Sequence, residues 1–404
     1  MRKSVSIAMP MIGHLSDYAF ANILTRLIPD LYAGLDVVSR ELVGFVPSVA
    51  RNATAERAAV GQSVVWPIAP PMGAVDVAPA MQVPEPADVT IGNNFMTITK
   101  ARAVAFGMTG EEERGLNSGV GYLSLQASMF AQALRTLVNE MESDVAIEAA
   151  ANASRAYGTP GTTPFAGDKM IDTAQTRKLL DDNGAPLSGR SLIINTAAGA
   201  NLRSMYNLTR ANEAGTTLTL RQGELLDLHG FSIKESAAVV NHVAGTGAAA
   251  TTSAAGFAVG ATTIALASAG TGTIKAGDVV TFAGDTNKYV VATGDADVSN
   301  GGSIVLSAPG LRVAIPAVAT AITVAASHAS NVAFSQDAIQ LAARAPAEPL
   351  EGDLRLDSYL LVDPRSGMAF EVSVWPGYRK VRLEVAAAWG VKAVKREHIV
   401  LLLG

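Results

Sequence analysis

The sequence predicts an α+β chain, and three observations carry that prediction. One apolar stripe at helical spacing runs unusually far, two runs alternate in the manner of strands around a proline-rich crossing, and a middle stretch almost without charge has the composition of an all-β module. Each takes its place in the order of the chain.

Residues 1–50 read as an N-terminal arm. Ile23, Leu24, Leu27, Leu31 and Leu35 lie near helical spacing, and Pro29 breaks or restarts that helix. The opening "MRKSVSIAMPMIGHLSDYAF" has two basic residues and an apolar stretch. Ser4, Ser6, Pro10 and His14 interrupt it, so it reads as a non-secreted arm and not as a signal peptide. Residues 51–110 read as an extended hairpin. "GQSVVWPIAP" gives one strand, Pro70, Pro71, Pro79, Pro84 and Pro86 stud the crossing, and "DVTIGNNFMTITKARAVAFGMT" alternates back. A lone hairpin is marginal in water, so such an arm needs a neighbour to cover its flanks.

Residues 111–190 contain the long helix, expected over 118–156. Phe130, Leu134, Leu137, Met141 and Val145 recur at steps of four, three, four and four, which places them on one stripe. Ser118 is the candidate N-cap and Gly158 the candidate stop. "DKMIDTAQTRKLLDDNGAP" predicts a second helix, closed by Asn183-Gly184. Residues 191–242 read as α/β, with a strand over Ser191–Asn195, a short helix after it, and a further strand in "ELLDLHGFSIKESAAVV".

Residues 243–330 change character. Seven charged residues occur there, Lys275, Asp278, Asp285, Lys288, Asp295, Asp297 and Arg312, while Gly, Ala, Thr and Val fill short runs between turns. A composition shift at both ends marks an inserted β-domain. In "IKAGDVVTFAGDTNKYVVATG", two short strands flank the turn at Gly284-Asp285-Thr286-Asn287. Residues 331–375 then predict a strand in "SNVAFSQDA" leading into an alanine-rich helix that Pro346 ends, and a hairpin around Asp363–Gly367. Residues 376–404 are closing strands.

Composition narrows the function. The net charge is −5 in 404 residues, and the pI is about 5.6. Neither favours nucleic acid or an anionic membrane as the main partner. With no cysteine, disulfides, thiolate metal sites, cysteine nucleophiles and iron–sulfur clusters are excluded. Hydrophobic residues make up 49% and charged residues 17%, a balance that favours self-association. The apolar runs break before the roughly 18 residues a membrane helix needs.

A search for chemistry is negative. His14, His229, His242, His328 and His398 are scattered, with no metal-ligand spacing. Gly284–Lys288 lacks the upstream glycine and following helix of a phosphate loop. There is no G-x-S-x-G elbow. Glu111-Glu112-Glu113 reads as an acidic first turn or a solvated loop, and not as a metal site. Asp181-Asp182-Asn183-Gly184 lacks the closing glutamate of a calcium loop. Arg379, Lys380, Arg382, Lys392, Lys395 and Arg396 read as a solvated or intersubunit face. No cofactor or metal is expected.

Taken in order, these segments resemble the major capsid (coat) proteins of tailed bacteriophages with the HK-ninety-seven-type fold, and look closest to the Salmonella-phage coat branch that carries an inserted domain. "AVGQSVVWPIAPP" followed by "ITKARAVAFGMTGEE" looks like an extension loop returning to a spine helix. "SNVAFSQDAIQLAARAPAEP" is similar to the segment after the insertion. "RKVRLEVAAAWGVKAVKREHIVLLL" looks like the closing strands.

The resemblance implies a non-enzymatic subunit with an arm, extension loop, spine helix, peripheral domain and axial domain. Its copies would form the pentamers and hexamers of an icosahedral shell around double-stranded DNA. It implies a scaffolding protein and a portal as partners, room for a decoration protein, assembly in the host bacterial cytoplasm and a final place in the virion. Members of that branch pair charged loop residues of the inserted domain across two-fold axes. Here no Asp, Glu, Lys or Arg occurs from Ser236 to Gly272, so that contact is absent, apolar or moved. Lys100 lies near the hairpin, but no crosslinking partner is identifiable and no crosslink is predicted. Trp66, Lys100, Arg102, Asp285, Lys288, Asp295, Asp297, Arg379, Lys380 and Arg382 are the candidates for intersubunit contact. The competing readings are an encapsulin-type nanocompartment shell, a surface or adhesive β-domain protein, and an enzyme.

Overall fold

The structure, a computed structural model, describes residues 44–68, 92–112, 122–167, 170–209, 225, 227–349, 352–363 and 368–404. The helix expected near Ile23–Leu35, the proline crossing from Pro70 to Pro86, the cap at Ser118 and the turn residues 364–367 lie outside the described residues. The fold is mixed, with more strand than helix.

A 3-10 turn (Val46–Ser48) leads into β1 (Ala50–Ala58), β2 (Ser63–Ile68), β3 (Gly92–Thr97) and β4 (Lys100–Thr109). The long helix α1 (Tyr122–Ala151) follows, then β5 (Arg155–Gly158), α2 (Ile171–Asp182), β6 (Arg190–Ile194), α3 (Thr196–Ser204) and α4 (Tyr206–Thr209). The middle of the chain supplies β7 (Ser232–Glu235), β8 (Asn241–His242), β9 (Thr263–Leu266), β10 (Val279–Phe282), β11 (Lys288–Thr293), β12 (Gly302–Leu306) and β13 (Ile322–Val324). The chain closes with β14 (His328–Ser335), β15 (Ile339–Pro346), β16 (Asp357–Val362), β17 (Ala369–Gly377), β18 (Lys380–Ala393) and β19 (Ile399–Leu403).

Helix α1 has 30 residues and so spans about 45 Å at about 1.5 Å per residue. Phe130, Leu134, Leu137, Met141 and Val145 are all buried, as the stripe predicts. The helix ends at Ala151, five residues short of the expected 156. Asn152 turns its side-chain amide back to the Glu148 carbonyl at 3.0 Å. The Ser154 N–H donates to the Ile399 carbonyl at 2.8 Å, and the chain leaves as β5. Gly158 therefore ends a strand and not the helix. Its φ is +104°, and a Cβ there would lie 2.7 Å from the Leu403 carbonyl oxygen.

One face of α1 packs on a six-stranded sheet ordered β1-β15-β18-β17-β16, with β4 also on β18. The first half of β18 lies between β17 and β4, and its second half reaches β15. Trp389 of β18 is fully buried, and its indole N–H donates to Asp144 of α1 at 2.8 Å. The neighbouring Gly390 is required because a Cβ would overlap the Thr97 carbonyl where β3 crosses.

Strand β15 corrects an expectation. "IQLAARAP" was predicted helical from its alanines, yet it is a strand between β1 and β18. Ile339, Leu341 and Ala343 join the core beneath α1, while Ala342 packs on the opposite side with Ala58, Met96 and Ala388. Burial on both faces of an interior strand overrides a weak helical preference. Alanine also suits the tight approach of β3 from above.

The second sheet is ordered β13-β10-β11-β5-β19-β14-β6-β7, with β12, β9 and β8 attached beside that path. Its central strands alternate cleanly. Ile193, Val332, Phe334, Leu401 and Leu403 face α1, while Leu192, Ile194, Ala333, Val400 and Leu402 face α2 and α3. Helix α2 closes at Asn183-Gly184, as expected. The side chain of Asn195 caps α3 by accepting from the Ala198 N–H at 2.9 Å.

The β10–β11 hairpin belongs to two cores at once. Val279 and Val290 join the core of α1, whereas Val280, Phe282, Tyr289 and Val291 join a separate cluster with Ile264, Leu266, Ile304 and Leu306. Strand β11 also pairs with β5, Tyr289 opposite Arg155. The charge-poor segment thus has its own apolar centre but shares a sheet with the rest of the chain.

Candidate functional site

Strands β2 and β3 form a two-stranded antiparallel ribbon running from Ser63 opposite Thr97 to Ile68 opposite Gly92. At its base Met96 and Ile98 are buried with Ala58, Ala342 and Ala388, and Val64 packs against them. The other face is different. Val65 and Phe95 are directly opposed across the strands, and each is 55% exposed. Lys392 steadies the root, donating to the Phe95 carbonyl at 2.7 Å with its ammonium 4.8 Å from the ring centroid.

The chain entering this ribbon is anchored by a buried carboxylate. Glu142 of α1 is 3% exposed. It accepts from the backbone N–H groups of Gly44, Phe45 and Val46 at 2.7–2.8 Å, and from the Ser236 hydroxyl at 2.7 Å. It acts as a cap for the 3-10 turn, supplied from a different element. Phe45 then stacks on Phe334 with centroids 6.3 Å apart. Glu142 was missed in the sequence. Its position, four residues after Val138 and next to Met141, places it on the buried stripe, and a carboxylate there is the signal of a specific partner.

A charged cluster borders the outer side of the six-stranded sheet. Arg57 pairs with Glu348 and Glu371, and Arg355 pairs with Glu348, Glu371 and Asp353. Arg344 reaches Asn52 at 3.1 Å. These partners lie as far as 314 residues apart, so no local pattern announces them.

The ten sequence candidates fall into separate places. Trp66 lies in β2 opposite Asn94. Lys100 donates to Asp144 at 2.8 Å and Glu140 at 3.3 Å on α1, and Arg102 pairs with Glu140 at 3.2 Å. The bond to Asp144 raises the Lys100 pKa. Asp285 accepts from the Tyr289 hydroxyl at 2.6 Å and from the Asn287 N–H at 2.9 Å. Burial, with Asp285 helping, pushes the Tyr289 phenol up to about 12.

Lys288 donates to the Gly158 carbonyl, and burial lowers its pKa. It borders a cavity of about 330 Å³ with Thr159, Pro164, Asp172 and Leu403. Asp295 accepts from the Asp297 N–H at 2.9 Å, and Asp297 caps a short 3-10 turn, accepting from Ser299. Arg379 and Lys380 sit at the β17–β18 turn, and Arg382 lies 3.4 Å from Glu384.

The turn Asp285–Asn287 therefore faces the protein's own interior network. Arg155, 2% exposed, donates to the Leu179 carbonyl at 3.1 Å and to the Asn183 side chain at 2.7 Å, and its other nitrogen reaches Asn287 at 3.5 Å. At the opposite end of the hairpin, His242 and the fully buried Asp278 meet at 2.7 Å. Burial opposes the Asp278 carboxylate, yet its bonds from His242, Lys275 and Gly245 hold its pKa below the usual value. His328 lies beside His242, with ring centroids 5.4 Å apart.

Among the described residues, no group of three or more His, Asp or Glu is placed to hold a metal ion. No described helix is long and apolar enough to cross a membrane.

No protein-family model matches the chain, and no curated protein does. Solved structures similar to it include one of Mycobacterium phage Che8, at 14% identity, with 89% of this chain and 90% of that chain covered and a TM-score of 0.44. The capsid of cyanophage P-SCSP1u is similar at 12% identity, 88% and 86% coverage and a TM-score of 0.47. A virus-like particle from Pyrococcus furiosus is similar at 12% identity, 93% and 96% coverage and a TM-score of 0.41.

Proposed function

We propose that this chain is a structural subunit of a closed protein shell, the major coat protein of a tailed bacteriophage. The observation that carries the reading is the β2–β3 ribbon. Two strands with an exposed Val65–Phe95 pair are not self-sufficient in water. Such a ribbon gains stability by lying across another copy. The order along the chain supports the same reading: an N-terminal segment held at residues 44–46, ribbon, long spine helix, α/β centre, charge-poor β segment, then closing strands, as in the coat proteins its sequence resembles.

In this reading the copies form pentamers and hexamers of an icosahedral particle that encloses double-stranded DNA, in the branch that carries an inserted domain. Assembly takes place in the host bacterial cytoplasm with a scaffolding protein and a portal, and the mature protein resides in the virion. A net charge of −5 suits a container that holds DNA without gripping its backbone. The role is structural and not catalytic.

The test is electron microscopy of the purified or co-expressed chain. Closed particles hundreds of ångströms across are expected. A chain that stays monomeric with and without its scaffold would refute the reading. Nucleic acid in particles recovered from infected cells separates a coat protein from a nanocompartment loaded with protein.

A further inference from the structure

The chain enters the charge-poor segment from β8 and leaves it into β14, and the two crossings lie side by side as a stem. His242 is paired with His328, and Asn241 with Ala329. The Ser330 N–H donates to the Val240 carbonyl at 2.8 Å, and the Ala244 N–H donates to the Ser327 hydroxyl at 3.1 Å. Three titratable side chains meet here, each from a different element. His242 ends β8, His328 begins β14, and Asp278 stands just before β10. The two imidazole centroids are 5.4 Å apart. The segment has a second attachment to the body of the chain, the pairing of β11 with β5.

The two histidines are held in opposite ways. Asp278 is fully buried, and its oxygens accept from His242 Nε2 at 2.7 Å, from the Lys275 N–H at 2.7 Å and from the Gly245 N–H at 3.0 Å. A carboxylate only accepts, so His242 Nε2 carries a proton in either charge state, and the pair survives a change of charge on the ring. His328 has no such partner. Its Nδ1–H donates to the Ala326 carbonyl at 2.9 Å, which leaves Nε2 as an acceptor. That atom is buried without a hydrogen-bond partner, in a side chain 5% exposed. A proton placed on it would become a buried donor with nothing to receive it, beside a carboxylate whose oxygens are already filled. Burial is the largest influence and lowers the His328 pKa. The Ala326 carbonyl and Asp278 act against that, while His242 on β8 and Lys288 on β11 add to it.

We infer that His242, Asp278 and His328 form an acid-opened clasp at the stem of the charge-poor segment. When His328 gains its second ring proton, β14 draws away from β8 and the imidazolium moves to water. His242 and Asp278 are the fixed half of the clasp, and His328 is the trigger. With the stem open, the segment stays joined through β5 and β11 and is free to turn about that seam. The closed stem holds His328 neutral, and the open stem lets it charge. Closure is therefore complete above the ordinary histidine value of about 6.5 and weakens as pH falls through it, by up to about tenfold per pH unit. Asp278 does not blur this window, because its own pKa lies below the usual carboxylate value. The clasp lies within one chain and operates with or without a shell.

The test is hydrogen exchange of the full chain by mass spectrometry at about pH 7.5 and about pH 5.5, corrected for the intrinsic effect of pH on exchange. Peptides over residues 240–246 and 325–330 should exchange about fivefold faster or more at the lower pH. Helix α1, strand β18 and the β5–β11 pairing should keep their rates. His328→Gln has no proton to gain, and its stem should exchange at one rate at both pH values. An unaltered stem that ignores pH overturns the clasp, and so does equal acceleration along the whole chain. A glutamine variant that still accelerates overturns His328 as the trigger. If that variant does not fold, the pH at which the unaltered stem begins to accelerate decides. Onset near about 6.5 upholds the clasp, and onset near about 4.5 or below, in the carboxylate range, overturns it.

Discussion

The β2–β3 ribbon and the β10–β11 hairpin are the same local object, two antiparallel strands, used in opposite ways. In the second, Val280 and Tyr289 face each other across the strands and are fully buried, and Val279 and Val290 behind them are buried as well. In the first, the corresponding pair is Val65 and Phe95, both more than half exposed. The hairpin inside the sheet is stabilised by its own chain on both faces. The ribbon is covered on one face, at its base. A hairpin's sequence states that it forms, and its surroundings decide whether it is a core element or a handle for another molecule.

The largest effect that would break this contrast is in the buried hairpin. Phe282→Ala should destabilise the chain by about 3–5 kcal/mol, read from denaturant unfolding, because Phe282 is 2% exposed among Tyr289, Ile322 and their neighbours. A loss under about 1 kcal/mol would show that this core is slack. Next comes the tie that fixes the hairpin turn to the helices. Arg155→Ala should cost about 2–4 kcal/mol, because it removes a buried guanidinium that bonds the Leu179 carbonyl and leaves the Asn183 side-chain oxygen without that donor in a part-buried place. An unchanged unfolding midpoint would remove Arg155 from that role.

A smaller effect is expected with pH. Burial lowers the pKa of His328, at the foot of the hairpin, and of His398, near α2. Each is therefore held neutral in the fold, while the unfolded chain takes up protons near the ordinary value of 6.5. The unfolded state binds more protons below that value, so stability is full above it and falls as pH drops through it toward the folded pKa values. Melting temperature should decline from about pH 7.5 to 5, and His328→Gln should shallow the decline. A decline of equal steepness in that variant would assign the effect to His398 or to the carboxylates.

The smallest effect on stability sharpens the contrast most. Phe95→Ala together with Val65→Ala should change unfolding of the isolated chain by no more than about 0.5 kcal/mol, and yet reduce particle yield by electron microscopy. Normal yield would mean that the exposed pair has no partner.

Sequence legibility followed the same division. The stripe of α1 was readable because a period of 3.6 residues is a local property, and all five predicted positions are buried. The α2 stop, the β6 strand and the two hairpins were readable from turn residues and alternation. Strand β15 was not, because alanine's preference is weak and the deciding forces, β1 on one side and β18 on the other, come from elsewhere in the chain. The Glu142 cap and the Arg57–Glu371 cluster escaped for the same reason. Lys100 and Arg102 stood in the sequence as candidates for intersubunit contact, and the partners the fold gives them, Glu140 and Asp144, lie on helix α1 of the same chain, where no local pattern points to them.

The route of β18 has a consequence for synthesis. It is the axis of the six-stranded sheet, and it joins residues 380–389 to residues 100–109, while β1 waits for residues 340–346. Nearly the whole chain must leave the ribosome before either early strand finds its permanent neighbour. Until then the apolar side of α1 and the edges of β1 and β4 stand open. Sheets closed by such distant segments fold slowly and expose sticky intermediates. A nascent chain thus spends its first moments with an open apolar surface of the kind chaperones cover, until the last strands are made.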